Sequence, residues 1–410
     1  MIKIKNTLFV ILFFTFLFAN SQEEKKENPF SFKWDNGFKI ESADKNFKLK
    51  FGGRIMVDHG FFSQDSDLDV NHGELTIKNG TEFRRARFFT SGTIYNNVEF
   101  KLQLDFSGGV TTFKDAYIGI KGIPVVGNLR VGHVKEPFRL EALTSSKYIT
   151  FLERALPIDA TQERNNGILL FNEFLNKKLG LQAGLFRNSD KFGNDKSAND
   201  DYAFTTRATT LAYDNKEKKQ YLHLGAGFSY RKTDTREFSY SSRPEAHLGE
   251  KYISTGTIED VDNIKLINFE TAFVTGPFAI QGEYLTTNVK TGNISPVDTY
   301  KFSSYYGQIS YFLTGEHKKL KGSYAGFNRV KPIQNFDGKK NGIGAWEVAL
   351  RYSNSDLNSE DIFGGEQTDI TLGLNWYLNP VTRVMLNNVF VDVKDKGKAN
   401  VFEIRFQIDF

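Results

Sequence analysis

The chain contains no cysteine in its 410 residues. That excludes a disulfide framework and any thiolate metal site. Its six histidines stand at 59, 72, 133, 223, 247 and 317, with no pair at the i, i+4 spacing of a zinc-peptidase helix. Asp65, Asp67 and Asp69 alternate, but the rest of a calcium-loop signature is missing, so they read as a solvated turn. No metal or other cofactor is expected, and no nucleophile–base pairing marks a catalytic site. Long apolar runs are also missing. Outside the first ~20 residues nothing approaches the length of a membrane-spanning helix, and mean hydropathy is negative. One-sided charge is lacking too. The formal net charge is +4, far from the balance of a nucleic-acid-binding protein.

Aromatic residues are what the chain has instead: 14% of the total, with 39 Phe and 17 Tyr. Many sit in stretches of period two, the mark of a strand with two unlike faces. The last ten residues are the clearest case. Phe402, Ile404, Phe406, Ile408 and Phe410 share one face; Glu403, Arg405, Gln407 and Asp409 share the other. A wholly polar second face cannot enter a soluble core, but it suits a barrel wall between lipid and a wet lumen. An edge strand of a soluble sandwich is the competing reading. A terminal Phe on such a strand also suits the signal read by the outer-membrane assembly machinery of Gram-negative bacteria.

The N-terminus agrees with export. Lys3 and Lys5 precede the apolar run Leu8–Phe18, and Ala19-Asn20-Ser21 supplies small residues before Gln22. Residues 1–21 read as a signal peptide. Residues 22–46 are polar and read as a periplasmic lead-in, and 47–410 as a transmembrane antiparallel β-barrel. Period-two stretches separated by Gly, Asn, Asp and Lys clusters give about sixteen strands, an even number as single-chain bacterial barrels require. They fall near 47–62, 82–95, 97–107, 112–121, 127–136, 164–172, 178–188 and 202–214. The rest fall near 220–232, 263–275, 277–290, 303–315, 341–355, 367–379, 381–394 and 400–410. Tight turns at Tyr95-Asn96-Asn97, Thr275-Gly276-Pro277 and Leu378-Asn379-Pro380 are assigned to the periplasmic side. The longer stretches Ser63–Thr81, Ser189–Asp201, Thr233–Asp262, Glu316–Asn341 and Asn354–Glu366 are assigned outside.

One connection, residues 137–160, is too apolar for a solvated loop and is bracketed by Pro137 and Pro157. It reads as an inward-folded constriction loop, or alternatively as a short helix on the rim. Alternation places Arg54, Arg85, Arg87, Arg207, Arg351 and Arg405 on lumen faces, and Lys135, Arg139, Lys147 and Arg154 lie in or beside the inward loop. Arg84 breaks the lipid-facing row and is expected at an interface, with its head group reaching toward water. Guanidinium is always charged and carries fixed donors for phosphate oxygens. The candidate anion pathway is therefore Arg54, Arg85, Arg87, Lys135, Arg139, Arg154, Arg207 and Arg351. Lumen acids, among them Asp58, Glu99, Asp105, Asp115 and Glu347, leave open a transverse field without selectivity.

Several stretches carry a family resemblance: Phe83-Arg84-Arg85-Ala86-Arg87, Asp115-Ala116-Tyr117, Val131 to Phe138, Leu143-Thr144-Ser145-Ser146 and Leu152-Glu153-Arg154. Tyr311 to Glu316, Gly344-Ala345-Trp346-Glu347 and Asn375 to Pro380 continue the series. In this order the chain resembles the phosphate-selective porin O and P family of Gram-negative outer-membrane channels. The resemblance implies a homotrimer of barrels in outer-membrane lipid, passing phosphate or other small anions. Two alternatives stand beside it. One is a general or saccharide-conducting porin, with Tyr117, Tyr306 and Phe312 as lumen aromatics. The other is a receptor or adhesin barrel without an open pore, acting through Thr233–Asp262.

Overall fold

The computed structural model describes residues 29–160, 163–190, 192–194, 201–338 and 342–410. The expected signal peptide lies outside the described residues. A hairpin opens the described chain: β1 (Phe30–Trp34) and β2 (Phe38–Ser42). Next come β3 (Phe47–Gln64), α1 (Ser66–His72), β4 (Asn79–Ile94), β5 (Val98–Asp105), β6 (Thr112–Ile123) and β7 (Gly127–Lys135). After the helical turn α2 (Leu140–Leu143) follow β8 (Arg164–Phe174), β9 (Leu179–Arg187), β10 (Tyr202–Asn215) and β11 (Gln220–Lys232). A second hairpin, β12 (Phe238–Ser242) and β13 (Ile253–Ile258), forms its own small sheet. The wall resumes with β14 (Val261–Thr275), β15 (Phe278–Thr291), β16 (Thr299–Phe312), β17 (Ala345–Ser359), β18 (Ile362–Asn379), β19 (Thr382–Val393) and β20 (Gly397–Asp409).

Sixteen of these, β3 to β11 and β14 to β20, pair antiparallel with their neighbours. The ring closes where β20 meets β3, from Ala399↔Gln64 to Asp409↔Arg54. Each of the sixteen coincides with a strand read from the sequence. The alternation holds in space: Phe406 is 62% exposed on the outer surface, while Arg405 beside it is fully buried inside. Outward rows of Phe, Leu, Ile and Tyr face lipid, and inward polar rows face the lumen, while the closed ladder pairs the backbone from strand to strand. The seam is finished by the last residue. The Gly53 amide donates to the Phe410 carbonyl (2.7 Å) and the Phe410 amide returns a bond to Gly53 (3.2 Å). A Cβ at Gly52 would stand 2.4 Å from the Phe410 carbonyl oxygen, and one at Gly53 2.6 Å from its ring. Only glycine admits this seat.

Both termini of the barrel lie at one rim, the periplasmic one. Strand parity then corrects one expectation. The segment after β16 leaves from the periplasmic rim, so Glu316–Asn341 belongs there and not outside. Its length had argued for the exterior, but an even-numbered barrel strand always ends where β20 ends. Conversely, Asn354–Glu366 is mostly strand, with a tight turn at Glu360-Asp361 on the extracellular side. Asp65 also proves structural: its carboxylate caps α1 by accepting from the Leu68 amide (2.8 Å).

The segment read as a receptor loop, Thr233–Asp262, is turned inward. Tyr240, Ala246, Tyr252, Ile253 and Ile258 are buried against Phe62, Leu285, Val289, Val389, Val391 and Val401. There the lumen face is apolar, and burying it holds the hairpin inside. The polar lead-in likewise holds β1 and β2, which extend the sheet from the lower edge of β3.

Candidate functional site

Two further stretches enter the lumen. Residues 136–163, between β7 and β8, cross to the opposite wall. Their backbone carbonyls are gripped by inward side chains: Ile149 by Arg383 (2.8 Å), Thr150 by Asn375 (2.8 Å), Leu152 by Arg405 (2.5 Å) and Glu153 by Arg351 (3.1 Å). The Phe151 ring lies under the Arg351 guanidinium (4.3 Å) and against Gly373, where a Cβ would come within 2.9 Å of it. The amides of Leu140 and Glu141 both donate to the Glu283 carboxylate (2.8 Å each). From below, the segment 313–344 rises to meet the first. The Phe327 amide donates to the Thr144 hydroxyl (3.1 Å), and Lys318 reaches Thr150 and Glu347.

What remains open is a cavity of about 680 Å³ on the side of β3 to β9. Among the described residues its wall carries eleven arginine and lysine side chains against three acids, Asp115, Glu163 and Asp190. Strand irregularities help create that excess. The β3–β4 register slips between Met56 and Val57, which pair with Arg85 and Phe83 and leave Arg84 between them. The bulge turns Arg84 and Arg85 to the same side. Arg84 therefore faces the lumen and not a membrane interface, forking onto Glu153 (2.8 and 3.0 Å). A second slip, between Leu102 and Leu104 on β5, lets Lys114 and Asp115 of β6 both reach the cavity.

Of the eight residues selected from the sequence, Arg54, Arg85, Arg87, Lys135 and Arg154 line this cavity together. Arg54 and Arg87 are directly opposed across β3 and β4. Arg54 donates to Ser146 (2.6 Å), meets no carboxylate among the described residues, and leaves its Nε without a partner. Arg85 pairs with Glu153 (3.2 Å) and Arg87 with Asp105 (2.7 Å). Lys135 and Arg154 share Glu163 (3.4 and 2.6 Å). The other three lie elsewhere. Arg139 is buried beside the Pro157 carbonyl. Arg207 is fully buried on Glu270 (2.5 and 3.0 Å), Gln182 and the Tyr324 carbonyl. Arg351 is fully buried between Glu245 and Glu141 (3.4 Å).

Six cationic lining residues escaped the sequence selection: Arg84, Lys101, Lys114, Arg130, Arg164 and Lys321. Lys101 shares a strand face with Glu99 and Asp105, two of the lumen acids read from the sequence. Lys114 and Arg84 were hidden by the bulges. Lys321 comes from the segment assigned to the wrong rim. Acids stand behind the cations they serve: Asp105 is recessed under Arg87, and Glu99 under Arg130 (2.7 Å), whose guanidinium lies between the rings of Tyr117 and Phe171. Burial alone would raise the carboxyl of Glu153, yet Arg84, Arg85 and Arg405 hold it well below the usual range. Glu163 behaves alike: burial opposes, and Arg154, Lys135 and Arg164 prevail. Such acids stay ionised and fix the guanidiniums without taking over the cavity surface. Of the aromatic candidates only Tyr117 lines the cavity; Tyr306 is buried on Glu283 (2.8 Å) and Phe312 on Tyr377.

Comparison with known proteins follows the same line. The family model described as phosphate-selective porin O and P matches residues 50–410. Porin O of Pseudomonas aeruginosa is 28% identical over 390 residues, covering 86% of this chain and 84% of that one. An uncharacterized protein of Caulobacter vibrioides is 28% identical over 408 residues, covering 93% and 78%. Among solved structures, the anion-selective porin from Comamonas acidovorans superposes with a TM-score of 0.57 at 14% identity, covering 89% of this chain and all of that one.

Proposed function

This chain belongs to the phosphate-selective porin O and P family of outer-membrane porins, and from that premise we propose that it conducts small oxyanions through the cationic cavity beside β3 to β9. The observation that carries this is the wall of eleven cations against three acids. An anion entering from outside meets guanidinium and ammonium groups on strands and on both inward segments. Each attracts it, and their number lets it step from one to the next without being trapped. Arg54, Arg85, Arg87, Lys135 and Arg154 form the path, with Arg84 and Lys321 added. Arg139, Arg207 and Arg351 hold the inward segments in place. Residues 136–163 then act as the constriction.

The reading involves passage and no catalytic step. A saccharide track has less support, because Tyr306 and Phe312 are committed to the wall. A trimer in the membrane, secretion by residues 1–21, and insertion through the final strand ending in Phe410 belong to the same proposal. The test is single-channel recording in a planar bilayer under a salt gradient, with phosphate titrated into chloride. An anion-signed reversal potential with chloride current blocked by phosphate is expected. A near-zero reversal potential without block would overturn the proposal.

A further inference from the structure

The β1–β2 hairpin stands outside the conduction path and has two unlike faces. Register decides which way each points. Phe38 pairs with Phe51 and Ile40 with Leu49, so both continue the lipid-facing row of β3. Trp34 pairs with Phe38 and Phe32 with Ile40, carrying that row two strands further. The result is an apolar sheet face made of Phe30, Phe32, Trp34 and Phe38, which are 41%, 58%, 63% and 42% exposed. Phe32 stacks on Phe38 at 6.0 Å. The opposite face is ionic: Glu41 takes Lys33 (3.3 Å) and Lys48 (3.4 Å), Lys39 pairs with Asp35, and Lys50 donates to the Asp35 carbonyl (3.0 Å).

The hairpin is held to the barrel along one edge by β2–β3 pairing, which leaves its aromatic face outward. Here no described residue covers the aromatic face. Its height is set by the pairing with residues 48–51 of β3, level with the lower belt where Phe47 meets Tyr95 at 5.0 Å. Trp34 brings a ring with a polar N–H, the kind that favours the headgroup level of a bilayer, and the Phe rings beside it add apolar area. We propose that this hairpin is a membrane-seated flap whose aromatic face rests in the headgroup region of the periplasmic leaflet. The covering partner is phospholipid, because the face is continuous with the barrel surface that lipid already covers. The Lys–Glu face looks toward the aqueous side.

Trp34 is one of three tryptophans in the chain and reports directly. The full barrel is reconstituted in phospholipid vesicles with acyl chains brominated near the headgroup, and in parallel in plain vesicles with aqueous iodide. Subtracting the emission of Trp34→Phe from that of the parent isolates the Trp34 signal and leaves Trp346 and Trp376 in place. Loss of that signal with brominated lipid, and protection from iodide, is expected. Replacing Phe32 and Phe38 by Lys should reverse the pattern while leaving conductance unchanged. Quenching by iodide alone would place the flap in water, and quenching by neither would mean a second copy of the chain covers it; either overturns the proposal.

Discussion

Arg54 on β3 and Arg351 on β17 are the same residue type, chosen by the same alternation, on opposite sides of one lumen. Arg54 lines the cavity and meets serine hydroxyls there, with no carboxylate bound to it among the described residues. Arg351 is sealed between Glu245, Glu141, the Phe151 ring and the Glu153 carbonyl. The difference lies in what faces each wall. Opposite β17 to β20 the inward segment 136–163 brings carbonyls and carboxylates, and the arginines there are consumed in holding it. Beside β3 to β9 the same segment offers Arg54 only serine hydroxyls, and cations of both strand and segment line an open cavity. An inward-pointing charge thus becomes part of a scaffold or part of a path according to its partners from distant sequence.

The comparison is broken hardest at Arg351. Arg351→Met leaves Glu245 and Glu141 buried without their cation, a loss of about 3–5 kcal/mol. Denaturant titration and heat-modifiable gel mobility should show a destabilised barrel, with the folded fraction keeping its ion selectivity. If selectivity collapses while stability is kept, the division between the two walls is wrong. Arg54→Ala strands no carboxylate, so the fold should survive. Losing a charge-assisted bond to the oxyanion should weaken phosphate block about ten-fold, read as current against phosphate concentration. Lys321→Ala removes from the cavity floor a cation that pairs with no carboxylate among the described residues. Its effect on the anion-to-cation permeability ratio should be roughly two-fold, the scale of a partly solvated charge.

The smallest effect concerns Lys147, which sits in the inward segment beside Asp409 (2.9 Å). Burial pulls its ammonium down to about 8, against the pull of Asp409. The unfolded chain therefore holds the proton over a range in which the folded chain has released it. Stability from this group rises as pH climbs from about 8 toward the ordinary lysine value. The unfolding midpoint of the parent should gain on that of Lys147→Met between pH 7 and about pH 9.5. No difference in the two pH dependences would show that Lys147 titrates normally.

Strand existence was legible in the chain because lipid on one side and water on the other impose period two on every wall segment. All sixteen wall strands follow from it, as does the inward face of Arg54, Arg87, Arg207 and Arg351. Three things were not legible. A bulge such as that at Arg84 costs one residue of register and leaves no compositional mark. The rim to which 313–344 belongs follows from counting strands and not from loop length. Partners such as Glu245 for Arg351 come from a separate hairpin, and alternation says which way a side chain points but never whom it meets. The loss of alternation at Val389, Val391 and Val393 was the one local sign that something apolar packs inside there.

The seam between β20 and β3 carries a consequence for the order of events in folding. Asp58 and Arg405, joined by two bonds of 2.6 Å, are 347 residues apart, and the last contact of the seam is made by the final residue. Closure at such separation is slow, since the loop entropy must be met before the contact forms. Until β20 reaches β3 the ring stays open, and the edges of both strands are unpaired. A chain ending one residue early would reach Asp409 and lack the piece that fills the glycine seat. The barrel wall thus becomes edgeless only when its first and last strands meet, so the two most distant parts of the sequence share one set of backbone bonds.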